Sequence, residues 1–449
     1  MVSTGFKVPI KSKIGFGVGD FALNLVWQGT ALFLLYFYTD ILGISPGIAG
    51  LIYLTAMIWD AVTDPVAATI ADRTWTRLGK YRPYIVFGAL PFALSYPLAF
   101  TASPLTIIPV ELWALFTHLL LRTTYTIVGV PFSSLQARLT DDAQERTVLA
   151  GFRMVGAASG GLTVVLVTPL FMRLFSEEHQ ALAFLSASMI AGVVIFLALL
   201  YCGLVMREPV TGKSEQSATL SQDIKSIGPM FLSNPPLIRL FAIIITSSIC
   251  LGMFGKNIIY FFKYHLERPD LTIWALVTPA ILLLLFVPFW VWLAGKRSKR
   301  DALILGGCIA GVGYVLFFLL AEFSLFWAFF SISVVGIGGS ALPVMFWSML
   351  PDTVEYGQAQ TGRRAEAKIF GFATFAQKAA IGINALVLGL MLDFVGFVPN
   401  VAQSPYALLG IKATMTIVPA IGSAIIVMLA LGYRLNQFEH AKLLKQIKN

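Results

Sequence analysis

The chain has 449 residues, of which 57% are hydrophobic and 12% charged, where a soluble globular domain carries about a quarter charged residues. With a mean hydropathy of +0.80, this excludes a soluble enzyme and an intrinsically disordered chain. The net charge of +9 would suggest nucleic acid in a soluble protein, so its meaning depends on where the charges fall.

Apolar windows of about 19 residues predict twelve spans: 14–39, 46–71, 84–101, 107–136, 148–172, 181–206, 237–263, 272–293, 302–321, 325–350, 367–393 and 406–433. Met1 to Lys13 is polar and basic, and the apolar run after it is too long for a signal h-region, so it reads as an uncleaved first span. The stretch 207–236 is polar and holds Pro209, Gly212, Pro229, Pro235 and Pro236. The expected fold class is therefore an all-α membrane protein of twelve transmembrane helices. A six-helix bundle at 1–206 is followed by a central cytoplasmic loop at 207–236, a second six-helix bundle at 237–433 and a cytoplasmic tail at 434–449.

Of the 32 Lys and Arg, 22 lie in the N-terminus, the alternate loops and the C-terminal tail, against only Arg173 and Arg268 in the opposite loops. By the positive-inside rule both termini are cytoplasmic, and the net charge is a topology signal that makes nucleic acid an improbable partner. The basic loops 72–83 and 295–301 stand at corresponding places in the two halves, as paired halves of secondary transporters require; simple positive-inside decoration is the alternative. Cys202, Cys250 and Cys308 are far apart in apolar segments. They indicate neither a disulfide framework nor a zinc site and read as packing residues.

Ionisable residues deep in a span are costly and so are functional candidates. Span 2 carries Asp60 and Asp64 at i and i+4, stacked on one helix face. Two such carboxylates must bind a cation, pair with a base or take up a proton. Pro65 removes a backbone hydrogen bond beside them. An inter-span salt bridge is the alternative. Asp20, in the glycine-rich run Gly15 to Gly19, suits hydrogen bonds from substrate hydroxyls or a helix-end ion pair. Arg153 and Lys378 are the plausible positive partners, able to neutralise the pair or to bind substrate oxygens. Lys256 lies where Gly252 to Asn257 is expected to break the helix. Glu111, His118 and Arg122 share a face of span 4; His118 could relay protons, though an inter-helix hydrogen bond explains it more simply. Trp27, Tyr125 and Trp347 could stack on a sugar ring or merely pack.

Taken together, Asp20, the Trp59-Asp60-x-x-x-Asp64-Pro65 segment, the loop Asp72-Arg73 to Pro83 and the segment Asp352-Thr353-Val354-Glu355-Tyr356-Gly357 resemble the glycoside–pentoside–hexuronide:cation symporters of the major facilitator superfamily, from about Lys13 to the last span. The resemblance implies two six-helix bundles in a bacterial inner membrane and uptake of a sugar or glycoside driven by Na⁺, Li⁺ or H⁺. It implies a cation site at Asp60 and Asp64, which would be a metal site if the ion is Na⁺, with Thr126 nearby. Asp20, Arg153 and Lys378 would hold substrate; Tyr125, Lys256 and Trp347 are added as substrate-binding candidates from the reading of the residues themselves. The melibiose-carrying member has an aspartate where Gly129 stands and a tryptophan where Ser133 stands. Losing an acid while keeping the basic residues points to a uronide or other anionic glycoside, as in the glucuronide-carrying member.

In the cycle this implies, a cation on Asp60 and Asp64 releases Arg153 or Lys378 and makes substrate capture near Asp20 favourable. Asp72, Arg73, Arg77, Asp352, Glu355, Arg363 and Arg364 are expected to form a cytoplasmic gate of inter-bundle ion pairs. The expected partners are a sugar or glycoside, a monovalent cation and the lipid bilayer, with the protein as a monomer and no cofactor beyond the coupling ion. A lysolipid or other amphiphile is the alternative cargo. An intramembrane enzyme is disfavoured because no His-Glu-x-x-His, Gly-x-Ser-x-Gly or His/Cys cluster occurs among four histidines and three cysteines.

Overall fold

The computed structural model describes residues 8–102, 107–139, 143–206, 234–361, 366–433 and 435. Among them are twelve helices of seven or more residues: α1 Ile10–Gly29, α2 Pro46–Arg73, α3 Arg82–Leu98, α4 Val110–Leu139, α5 Ala143–Leu174, α6 Gln180–Val205, α7 Pro235–Tyr260, α8 Thr272–Lys296, α9 Lys299–Leu320, α10 Leu325–Thr361, α11 Glu366–Phe394 and α12 Pro405–Leu431. The chain is a multi-pass membrane protein. Nine of these helices are long and apolar enough to cross a bilayer by length and composition. The others are α3, with 17 residues, and α1 and α4, whose hydropathy is diluted by Asp20, Asn24 and Gln28 and by His118 and Arg122. Those polar residues include ones from which the candidate site is built.

Helix ends follow local chemistry. Proline stands in the first turn of α2, α7 and α12, where its missing N–H costs nothing and its fixed φ suits the helix. Asn234, Ser298 and Ser404 cap α7, α9 and α12 by accepting hydrogen bonds from Leu237, Asp301 and Ala407 N–H groups. Beyond its α-helical part, α1 runs through π-helical turns at Thr30–Leu34 and Phe37–Ile41, and α7 ends in one at Phe261–His265. Between α2 and α3, Thr76 and Gly79 exchange backbone hydrogen bonds, a turn tight enough to need the positive φ of Gly79.

Two differences from the sequence expectation matter. The break expected at Gly252 to Asn257 is absent: α7 is continuous there, and Gly252 instead lets the Asn384 side chain pack against its backbone. The tenth span, expected to stop at 350, continues as helix to Thr361 and carries Asp352 and Glu355. A polar stretch can remain helical once it leaves hydrocarbon, so hydropathy marks the end of the span and not of the helix.

The chain forms two compact units, Met1–Ser214 with Val398–Val401, and Glu215–Phe397 with Ala402–Asn449. The first contains α1 to α6 and the second α7 to α12. The segment 207–233 of the expected central loop lies outside the described residues. In the second unit Leu237, Ile244, Leu303, Leu342, Met345 and Ile426 are buried in one apolar cluster. Cys202 and Cys250 are buried as packing residues, whereas Cys308 is exposed on α9.

Candidate functional site

In the first unit α1 and α5 pack almost backbone to backbone. A Cβ added to Gly156 would overlap the Gly17 carbonyl, one on Gly160 would meet the Phe21 carbonyl at 2.6 Å, and one on Gly17 would meet the Phe152 carbonyl at 2.8 Å. Without a hydrophobic force between helices in lipid, such small-residue contacts hold them together through van der Waals packing. This approach brings Arg153 of α5 to Asp20 of α1. Arg153 Nε donates to Asp20 Oδ1 at 2.9 Å, and its Nη2 donates to Ser133 Oγ of α4 at 3.3 Å. Asn24, one turn along α1, donates to Asp20 Oδ2 at 3.3 Å. Asp20 is 4% exposed.

The second cluster joins α2 and α4. Thr126 Oγ1 lies 2.8 Å from Asp60 Oδ1 and 2.9 Å from Asp64 Oδ1. Asp60 is fully buried, and Trp59 fixes the same pair of helices by donating from Nε1 to Thr123 Oγ1 at 2.9 Å. A hydroxyl has one proton to donate, so it satisfies only one of the two carboxylates. The three oxygens together make an all-oxygen donor set of the kind that suits a hard ion.

Tyr125, next to Thr126, packs against Trp27 and Phe92 with ring centroids 5.9 and 5.7 Å apart. A Cβ on Gly129 would make only ordinary contact with Tyr125 and Leu23. His118 is buried and accepts a hydrogen bond from Arg122 Nε at 3.3 Å. In the second unit, Lys256 on α7 and Lys378 on α11 are buried at 3% and 7% exposure. Trp347 stacks on Phe370 at 6.4 Å.

Of the expected gate residues, Asp352 has both its carboxylate oxygens 2.8 Å from Lys299 Nζ, which also donates to the Ser348 carbonyl. Arg73 and Arg77 are exposed, and Glu355 is half-buried. The Asp72 side chain, Arg363 and Arg364 lie outside the described residues. Sequence reading missed Asn24 and Lys299, and it noted Ser133 only as a departure. An Asn four residues after Asp20 on one helix face was a usable signal, whereas Lys299 was hidden among basic neighbours that all looked like topology signals.

The family described as MFS/sugar transport protein matches residues 15–437. The chain belongs to that family. It is similar to an uncharacterized symporter, YnaJ, of Bacillus subtilis (strain 168), at 32% identity over 99% of this chain and 96% of that protein. A putative sulfoquinovose importer of Salmonella typhimurium is 30% identical over 98% of this chain and 93% of its own length. The isoprimeverose transporter of Lactiplantibacillus pentosus is 29% identical over 96% and 90% respectively. Those matches span nearly the whole of each chain, so the major facilitator fold is shared from end to end.

Proposed function

We propose that this protein is a secondary active transporter that imports a sugar or glycoside together with a monovalent cation, Na⁺ or H⁺, by alternating access. The single observation that carries the reading is the sharing of one Thr126 hydroxyl between Asp60 and Asp64, which brings three oxygen donors together inside the bundle. Its relatives include proteins named as symporters, an isoprimeverose transporter and a putative sulfoquinovose importer, which supports the same class of cargo.

In this scheme the cation occupies Asp60, Asp64 and Thr126, and Asp20, Arg153 and Ser133 bind substrate hydroxyls or an acidic group. Tyr125, Lys256, Lys378 and Trp347 complete substrate recognition. An anionic sugar is favoured because Gly129 stands where the melibiose-carrying member has an acid, while the basic residues Arg153, Lys256 and Lys378 are kept. Coupling arises because a bare carboxylate pair disfavours the conformational change, so cation and sugar each raise the other's affinity. A tenfold coupling needs only about 1.4 kcal/mol. The gate at the cytoplasmic ends, including Asp72, Arg363 and Arg364, works by ion pairs that form in one state and break in the other.

Uptake of a panel of neutral and acidic glycosides into right-side-out vesicles, with and without Na⁺ at two pH values, tests the scheme. Uptake against a gradient should need the cation in the parent and be lost in Asp64→Asn, which should retain downhill exchange. Undiminished uphill uptake in that variant refutes the role of the pair, and preference for neutral sugars refutes the anionic refinement.

A further inference from the structure

One charge in the first unit is left unexplained by the scheme above. Arg122 lies on α4 one helical turn before Thr126, on the same face, and is only 2% exposed. Its guanidinium is cradled by neutral groups: Nε donates to His118 Nε2 at 3.3 Å, Nη2 donates to Thr30 Oγ1 at 3.2 Å in the π-helical turn after α1, and the Trp27 ring lies 5.5 Å away. The Tyr53 hydroxyl also borders it. Nη1 is buried with no hydrogen-bond partner, and no carboxylate touches Arg122 among the described residues. A guanidinium cannot shed its proton in a protein, so this charge persists inside the bundle and must be compensated at longer range. Asp60 is placed to do so. It sits two turns after Tyr53 on α2, and its carboxylate is bonded to Thr126, one turn from Arg122.

We propose that Arg122 is a fixed counter-charge for the Asp60–Asp64 pair that keeps cation binding weak enough for release. The inference deepens the reading of the pair as a cation site and rests on it. A buried dicarboxylate without such a neighbour would hold its ion too firmly for a carrier that must discharge it every cycle. The arginine supplies a standing repulsion toward any cation entering the three-oxygen site. Two like unit charges about 8 Å apart at an effective dielectric of about 20 repel by an amount equal to about tenfold to thirtyfold in affinity, which sets the size of the effect expected. The neutral cradle of His118, Thr30, Tyr53 and Trp27 fixes the guanidinium and keeps it from collapsing onto the carboxylates.

The test is a titration of the full-length protein in nanodiscs with Na⁺ and separately with Li⁺, at fixed pH. Two readouts serve: intrinsic fluorescence, with Trp27 beside Arg122 and Trp59 beside Asp60 as reporters, and the rise in unfolding temperature on cation binding. Arg122→Gln should bind both ions about tenfold to thirtyfold more tightly than the parent, so that even an ion the parent barely holds saturates the variant. Arg122→Lys, which keeps the charge, should stay near the parent affinity. Equal or weaker binding in Arg122→Gln, or no ion response in it at all, overturns the proposal. If Asp64→Asn responds to the ions as the parent does, the reading of the pair as a cation site has failed instead. Should Arg122→Gln not fold, the double variant Asp60→Asn/Arg122→Gln removes both charges together. It should give more folded protein than Asp60→Asn alone, and no such recovery overturns the proposal.

Discussion

Replacing Thr126 by valine removes a hydroxyl and leaves a β-branched side chain of nearly the same volume, so its effect isolates one oxygen. That oxygen lies 2.8 and 2.9 Å from two carboxylate oxygens, and a hydrogen bond to a charged group is worth about 1.5 to 3 kcal/mol. Loss of the hydroxyl as donor to the empty site and as ligand to the filled one should weaken cation binding by about tenfold to a hundredfold. The maximal rate of downhill sugar movement should change much less, because substrate is held elsewhere. The assay is the cation concentration giving half-maximal uptake in vesicles, paired with the cation-induced rise in unfolding temperature of purified protein. Thr126→Ser, which keeps the hydroxyl, should remain within a few-fold of the parent. A Thr126→Val protein with unchanged half-saturating cation in both assays would refute the role given to the shared hydroxyl.

Two further outcomes are expected. Gly156→Ala places a methyl group against the Gly17 carbonyl and should cost about 1 to 3 kcal/mol by overpacking. Because α1 and α5 must then separate, sugar affinity should fall while the cation-induced thermal shift survives; a thermal melt and a binding titration on the same sample check both. Glu322, between α9 and α10, accepts hydrogen bonds from Lys412 and from His265, the latter at 2.9 Å. Burial pushes its carboxyl up, but Lys412 and His265 outweigh that, and the group is held below its usual range. A lowered folded value means the stabilisation is present above about pH 4.5 and is lost as pH falls through the lowered folded value. Its side chain is 47% exposed, so Glu322→Gln should lower stability at pH 7 by no more than about 1 kcal/mol. The gap between variant and parent should close on acidification, and a gap that widened instead would contradict the assignment.

Composition alone settled that this chain lives in a membrane, because 12% charged residues cannot clothe a soluble surface of this size. Helix number and the two halves were equally legible, since a bilayer imposes one length scale on every span. The spacing of Asp60 and Asp64 also placed both carboxylates on one face, as helical geometry dictates for i and i+4.

What the linear order could not reveal was which helices meet. That Arg153 reaches Asp20 depends on glycines of α1 and α5 coming into backbone contact, and that Thr126 lies between two acids on another helix depends on α2 packing against α4. The fate of Arg122 shows the same limit. Its burial among His118, Thr30, Tyr53 and Trp27 joins four positions scattered over three helices. Hydropathy records how well each segment suits lipid; the partners of a polar side chain are set by the rotation and approach of neighbouring helices, which only the folded bundle defines.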